Sequence, residues 1–328
     1  MIAIVGAVGL AFGLASVAVL MLTRAGSRLP ADRPNARSLH DRATPRGGGL
    51  AIWAGFVPVA LALPPPMTAW HLWLAALAAV AAVSFADDAR SVPAGIRFVV
   101  HLVAAMLVAA TIAPLRDAPA TLVLCTILIV WGANLFNFMD GSDGLAALMA
   151  LTGFAALAVA AGHVGADALA TICAALAAAT LPFFLVNRPP ATMFMGDVGS
   201  VPLGFLAAAI GVAGVALGVW PAWLPALAFL PFLADATVTL LRRALRGEKL
   251  WRPHRSHYYQ RLHAAGAGHL GTLAIFGAAM GACAVAAVAC LLLAPAHGYA
   301  VLGLAFALHL IGFVAIDYHC GSSNVRTP

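Results

Sequence analysis

The chain has 328 residues, 63% hydrophobic and only 9% charged, with a mean hydropathy of +0.97 and a formal net charge of +6. That composition excludes a water-soluble globular protein. Nor does the positive charge point to nucleic acid, because the basic residues fall between apolar runs of membrane length, where loop charge sets orientation.

Apolar runs of about 17–24 residues predict helices, since a membrane barrel would alternate polar and apolar residues over short strands. Eleven spans are expected, at 1–22, 48–63, 69–86, 96–113, 120–139, 145–161, 168–186, 201–219, 224–241, 270–293 and 299–317. Residues 1–22 carry no basic n-region ahead of the apolar stretch and read as the first span, not as a signal peptide. The expected fold is all-α and polytopic, with residues 1–328 as one integral membrane domain. Placing loop 23–47 in the cytoplasm leaves 17 of the 18 Lys and Arg in or beside cytoplasmic segments and only Arg116 outside. The N-terminus is then outside and the C-terminus inside.

The outer loops are short and look non-catalytic. Trp70, Trp73, Trp220 and Trp223 sit where an interfacial aromatic belt is expected. Gly9/Gly13, Gly214/Gly218 and Gly277/Gly281 have small-xxx-small spacing, which suits packing within the chain ahead of a homodimer interface. Cys125, Cys173, Cys283, Cys290 and Cys320 form no CxxC pair and read as packing residues.

All informative polar residues fall on the cytoplasmic side, in 33–49, 87–95, 140–144, 187–200 and 242–268. A transporter would put them near the midplane, whereas an enzyme joining a cytosolic to a membrane substrate would gather them at one face. Asp87 and Asp88 end the third span; adjacent helical residues diverge by about 100°, so one can address substrate while the other holds a metal or a basic partner. A solvated helix end is the plainer account of that pair alone. NLFNFMDGSDGL (134–145) places Asp140 and Asp143 three apart, with glycines that admit a ligand closely. Asp197 lies between glycines in FMGDVGS. Mg²⁺ takes carboxylate oxygens and fills its remaining positions with water and phosphate, so five aspartates beside a basic loop read as a Mg²⁺-diphosphate site, with Mn²⁺ as the alternative ion. In the basic loop, His254 and His257 at i,i+3 could donate to phosphate. A plain positive-inside loop explains its arginines equally well.

Together these stretches resemble the polyprenyl-phosphate N-acetylhexosamine-1-phosphate transferases, glycosyltransferase family 4 in its bacterial membrane sense, from about Arg33 to Leu262. The motifs are the aspartate pair, NxxNFxDGxDGL, NxxPAxxFMGDxGS from Asn187, and a histidine loop. The resemblance implies transfer of a sugar 1-phosphate from a UDP-amino sugar to undecaprenyl phosphate, with release of UMP, at the cytoplasmic face of a bacterial inner membrane. By the same resemblance Asp87 is the base toward the lipid phosphate, Asp88 its partner near metal or phosphate, and Asp197 the principal Mg²⁺ ligand. Asn134, Asn137 and Asp140 line the diphosphate site, Asp143 and Phe194 hold the uracil, and Asn187, His254, Arg255 and His257 serve substrate. Two departures, His257-Tyr258-Tyr259-Gln260 in place of a histidine run and Ala89-Arg90-Ser91 after the aspartate pair, favour a branch that initiates O-antigen or related surface polysaccharide. The alternatives are the phospho-MurNAc-pentapeptide transferase and, in another class, a transporter of an anionic lipid or nucleotide.

Overall fold

A chain this apolar must satisfy its backbone N–H and C=O groups internally, and helices do so segment by segment. The computed structural model describes residues 2–25, 30–32, 39, 43–65, 69–112, 118–250 and 254–323. Its helices are α1 (Ile2–Arg24), α2 (Gly49–Ala62), α3 (Trp70–Arg90), α4 (Ala94–Thr111), α5 (Pro119–Met139), α6 (Leu145–His163) and α7 (Asp167–Asn187). Then follow α8 (Asp197–Ala216), α9 (Trp223–Ala228), α10 (Leu230–Leu245), α11 (Tyr258–Leu262), α12 (Gly268–Leu293) and α13 (Gly298–Ser323). Two short strands, β1 (Ala31–Asp32) and β2 (Thr44–Pro45), pair antiparallel ahead of α2. Nine helices among the described residues are long and apolar enough to cross a membrane. The protein is an all-α, multi-pass membrane protein.

Two expected spans take a different form. Helix α2 has 14 residues, about 21 Å of rise, short of a hydrocarbon core of about 30 Å. The segment expected as one span over 224–241 breaks at Phe229 into α9 and α10. Pro231 has no N–H to give the carbonyl four residues back, and the break falls where that bond would form. The four tryptophans are not a belt: Trp70, Trp73, Trp220 and Trp223 are all buried. Three of them donate inward, Trp70 to the Ala60 carbonyl, Trp73 to the Thr111 hydroxyl and Trp220 to the Gly211 carbonyl. An indole with its N–H satisfied inside the protein has no need of the headgroup layer. Arg116 and most of loop 33–42 lie outside the described residues.

Helix α8 is the axis of the bundle, packing against α2, α3, α4, α5 and α6. Its contact with α5 is backbone to backbone at Gly132 and Gly204: a Cβ on Gly132 would stand 2.6 Å from the Ala208 Cβ and 2.8 Å from the Gly204 carbonyl. Removing two side chains there brings the C-terminal end of α5 beside the N-terminal end of α8. Of the small-residue pairs, Gly214 packs under Trp220 and Gly277 on Leu148, as internal packing requires. Gly9, Gly13, Gly218 and Gly281 have no neighbouring atom within 4 Å of where a Cβ would stand, so internal packing does not account for them. All five cysteines are free, four of them buried.

Candidate active site

The C-terminal ends of α3, α5 and α7 meet the N-terminal end of α8, and each delivers one of the sequence motifs there. A pocket of about 230 Å³ opens between them. Its walls include Asn137, Asp140, Asp143, Asn187, Phe194 and Asp197, so six of the expected site residues share one space. Sequence spacing missed Arg46, Ser142 and Gln260, which also line it. Four carboxylates, those of Asp32, Asp140, Asp143 and Asp197, face one lining arginine, Arg46.

Each wall is held from behind. Asn137 donates to Asp197 Oδ1 at 2.9 Å and reaches the Ser200 hydroxyl at 3.3 Å. Asp143 Oδ2 accepts from the Ala191 amide at 2.9 Å, and its own amide donates to His269 Nδ1 at 3.3 Å. Asn187 accepts from the Gly144 amide at 3.0 Å and donates to the Met193 carbonyl at 2.9 Å, clasping the DGSDG turn to the segment before Phe194. Phe194 sits in a parallel bridge with Arg46; its amide donates to the Pro45 carbonyl, and its carbonyl accepts from Gly48. Gly199 and Gly49 touch through their backbones, a Cβ on Gly199 falling 2.8 Å from the Gly49 Cα.

The aspartate pair lies behind this pocket and divides as adjacent helical residues must. Asp88, 3% exposed, turns toward α8 and accepts from the amides of Asp197 at 3.1 Å and Val198 at 3.0 Å. It thereby occupies the positive end of that helix. Gly196 makes room for it with φ of +74°, in the left-handed region where its hydrogen faces Asp88 Oδ2. Asp87 turns the other way, accepting from the Val92 amide at 2.6 Å and from the Arg97 guanidinium. Arg97 also lies 3.4 Å from Asp197 Oδ2 and so bridges the two aspartates. A lone arginine in the first turn of an apolar helix, ten residues after an aspartate pair, was the available signal for it.

The histidine loop reaches the pocket through Gln260. His257 is buried with Nδ1 3.1 Å from Asp235 Oδ1 and its ring stacked on Phe138. Asp235 also accepts from the amides of Tyr258 and Tyr259, which ties α10 to the start of α11. His254 bonds the Ser256 hydroxyl at 2.7 Å and lies 4.9 Å, ring to ring, from His257. Burial, and then His257, pushes its pKa down to about 4. Arg255 is exposed, and Asn134 donates to the Val130 carbonyl within its own helix; neither lines the pocket.

Asp140 caps the end of α5. Its burial, followed by the nearness of Asp197 and Asp88, holds its carboxyl well above the usual range. Crowded carboxylates of this kind are short of positive charge, which a divalent cation supplies.

Residues 70–215, the stretch from α3 to α8 that supplies most of the pocket's lining, match the model of glycosyl transferase family 4. The chain is 30% identical over 258 residues, 72% of itself and 70% of the relative, to the undecaprenyl-phosphate alpha-N-acetylglucosaminyl 1-phosphate transferase of Yersinia pestis. The chain belongs to glycosyl transferase family 4. A probable undecaprenyl-phosphate N-acetylglucosaminyl 1-phosphate transferase of Bacillus subtilis (strain 168) is 29% identical over 282 residues, 79% of this chain and 78% of that one. The phospho-N-acetylmuramoyl-pentapeptide-transferase of Geobacillus thermodenitrificans (strain NG80-2) is 43% identical over 90 residues, 27% of this chain and 28% of its own. In this family 4 transferase the matched region covers every lining aspartate except Asp32, and it ends before the histidine loop.

Proposed function

We propose that this transferase moves an N-acetylhexosamine 1-phosphate from a UDP-amino sugar to undecaprenyl phosphate and releases UMP. One observation carries the reading: Asn137, Asp140, Asp143, Phe194 and Asp197 surround a single pocket at the end of α5. The same helix lines an apolar groove of about 360 Å³ with Leu128, Trp131 and Leu135, closed opposite by Ala208 and Val212 of α8. A phosphate at the pocket could therefore trail an apolar chain down α5. The aromatic face of Phe194 suits a base, and Asp143 offers it a hydrogen-bond acceptor.

A diphosphate alone would meet four carboxyl groups and a single arginine among the lining side chains. No cluster of three His, Cys, Asp or Glu among the described residues cages a metal by itself, which fits Mg²⁺ held by one or two carboxylates and completed by substrate phosphate and water. Mn²⁺ has the same donor preference. Asp197 and Asp140 would hold it, and Mg²⁺ there would neutralise phosphate charge. Asp88 acts on Asp197 through the backbone it anchors. Arg97 releases part of its hold on the aspartates to donate to phosphate, leaving Asp87 to accept the proton of the lipid phosphate. An oxygen of that phosphate bonds to the sugar-bearing phosphorus, the anhydride P–O bond breaks, and the electron pair leaves with UMP.

The distribution of Lys and Arg supports a pocket facing the cytoplasm across the inner membrane, and the Tyr258-Tyr259-Gln260 stretch supports a surface-polysaccharide donor such as one for O-antigen. The 90-residue match at 43% identity favours a second reading, transfer of phospho-MurNAc-pentapeptide. Purified protein with undecaprenyl phosphate, Mg²⁺ and a panel of UDP-N-acetylhexosamines should release UMP with one of them. Release with the pentapeptide donor alone selects the second reading, and transport without UMP release refutes both.

A further inference from the structure

Helix α11 has two faces. Gln260 lines the acidic pocket and the Tyr259 hydroxyl donates to the Phe138 carbonyl, but Tyr258 turns away. Behind it lies a second pocket, of about 220 Å³, lined by Arg242, Arg243, Arg246, Arg261 and Tyr258. Asp317 of α13 pairs with Arg242 at 2.6 Å and with Arg261, and Glu248 pairs with Arg243 at 2.7 Å. Asp235 stands behind Thr239, its oxygens engaged by the start of α11. The lining arginines and the two acids paired to them leave an excess of two positive charges, with Arg246 exposed at the rim.

Tyr258 stacks on Phe313 at 3.9 Å between ring centres. Phe313 belongs to a second apolar groove, about 390 Å³, between α12 and α13. Small residues hold that groove open: Ala279, Ala282 and Ala286 on one side, Ala305 and Gly312 on the other. Leu304 and Leu308 on its rim are 63% and 58% exposed, which places the rim against lipid. Arginine pocket and apolar groove thus join through one stacked pair of rings.

We infer that this pair of cavities binds an anionic glycerophospholipid of the bilayer, its phosphate among the arginines and one acyl chain between α12 and α13. Guanidinium forks match phosphate oxygens in pairs, and basic pockets between membrane helices favour anionic over zwitterionic headgroups. The site is distinct from the acidic pocket, which carries the opposite charge and lies across α11. An occupant here would brace α13 against α11.

The test uses the full chain in phosphatidylcholine vesicles with and without phosphatidylglycerol, extracted into detergent and analysed for retained lipid by native mass spectrometry. The parent should retain phosphatidylglycerol in preference to phosphatidylcholine. Arg246→Gln should lower that retention about five-fold, the factor corresponding to about 1 kcal/mol per basic residue at a membrane surface. Gly312→Leu, at a position with no atom within 4 Å of its would-be Cβ, should fill the groove and release the lipid. If Gly312→Leu does not fold, the rim variant Arg246→Gln still decides. Equal retention of the two lipids by the parent, or undiminished retention by Arg246→Gln, overturns the inference. Loss of undecaprenyl phosphate binding with phosphatidylglycerol retained would assign the site to substrate and equally overturn it.

Discussion

Asp88→Ala separates a carboxylate that holds metal from one that holds backbone. Asp88 is 3% exposed and takes the amides of Asp197 and Val198 at 3.1 and 3.0 Å, with Arg46 at 3.7 Å. Backbone bonds to a charged acceptor contribute about 1.5–3 kcal/mol each, and the nearby carboxylate of Asp197 subtracts from the pair. A net loss of roughly 2–3 kcal/mol is expected, a fall of about 3–4 °C in apparent melting point for a chain of this size. The assay is a thermal scan in detergent with EDTA at fixed heating rate, because unfolding from detergent is governed by rate. Asp88→Asn should also lose stability, since its amide would turn an N–H toward one of the two backbone donors. Mg²⁺-dependent binding of a UDP-sugar should weaken in both variants as Asp197 loses its anchor. A metal ligand without the backbone role predicts the opposite sign, because removing one carboxylate from a metal-free acidic cluster relieves repulsion. An unchanged or raised melting point for Asp88→Ala in EDTA would refute the positioning role.

The raised carboxyl of Asp140 binds its proton more tightly in the folded than in the unfolded protein. Its contribution to metal-free stability is therefore greatest below the unfolded value of about 3.9 and declines as pH rises through the raised folded value. A cation held by Asp140 would compete with that proton, so a weakly buffered Mg²⁺ titration should show more proton release in the parent than in Asp140→Asn; equal release removes Asp140 from the metal site. His254, neutral at physiological pH with its pKa near 4, should leave the shape of the rate profile between about pH 5.5 and 8 unchanged in His254→Gln. An acid limb near pH 6 that this substitution abolishes would contradict its burial. Gly132→Ala forces α5 and α8 apart, with an expected cost of about 1–3 kcal/mol and slower UMP release. Parent-like melting and turnover would mean that the helices give way without disturbing Asn137 and Asp197.

Helices with long apolar stretches were legible in order because each satisfies its own backbone, whatever surrounds it. The motifs that converge on the pocket were legible too, since glycine and aspartate in a membrane-length pattern have few structural uses. What composition could not show was direction. Nothing in the adjacency of Asp87 and Asp88 says which takes the helix end and which takes Arg97; the approach of α3 to α8 decides it. Tryptophan counts do not reveal whether an indole finds a carbonyl inside, as Trp70 and Trp220 do. His257 matched a motif position, yet its partner Asp235 stands 22 residues away, and only the turn of α11 brings the two together.

The seam between Pro45–Gly49 and Phe194–Gly199 joins stretches far apart in the chain; the bond from the Trp53 indole to the Val198 carbonyl alone spans 145 residues. At ribosomal rates of about 5–20 residues per second, the first half of that seam waits roughly 7–30 s for its complement. During that interval α3 to α7 are made in turn, while Asp88 has no helix end to cap and Arg97 has no second aspartate to bridge. Until α8 arrives the nascent chain therefore holds Asp88 uncapped beside the Asp87–Arg97 pair. Truncation before residue 197 leaves Asp88 permanently without the two amides that hold it.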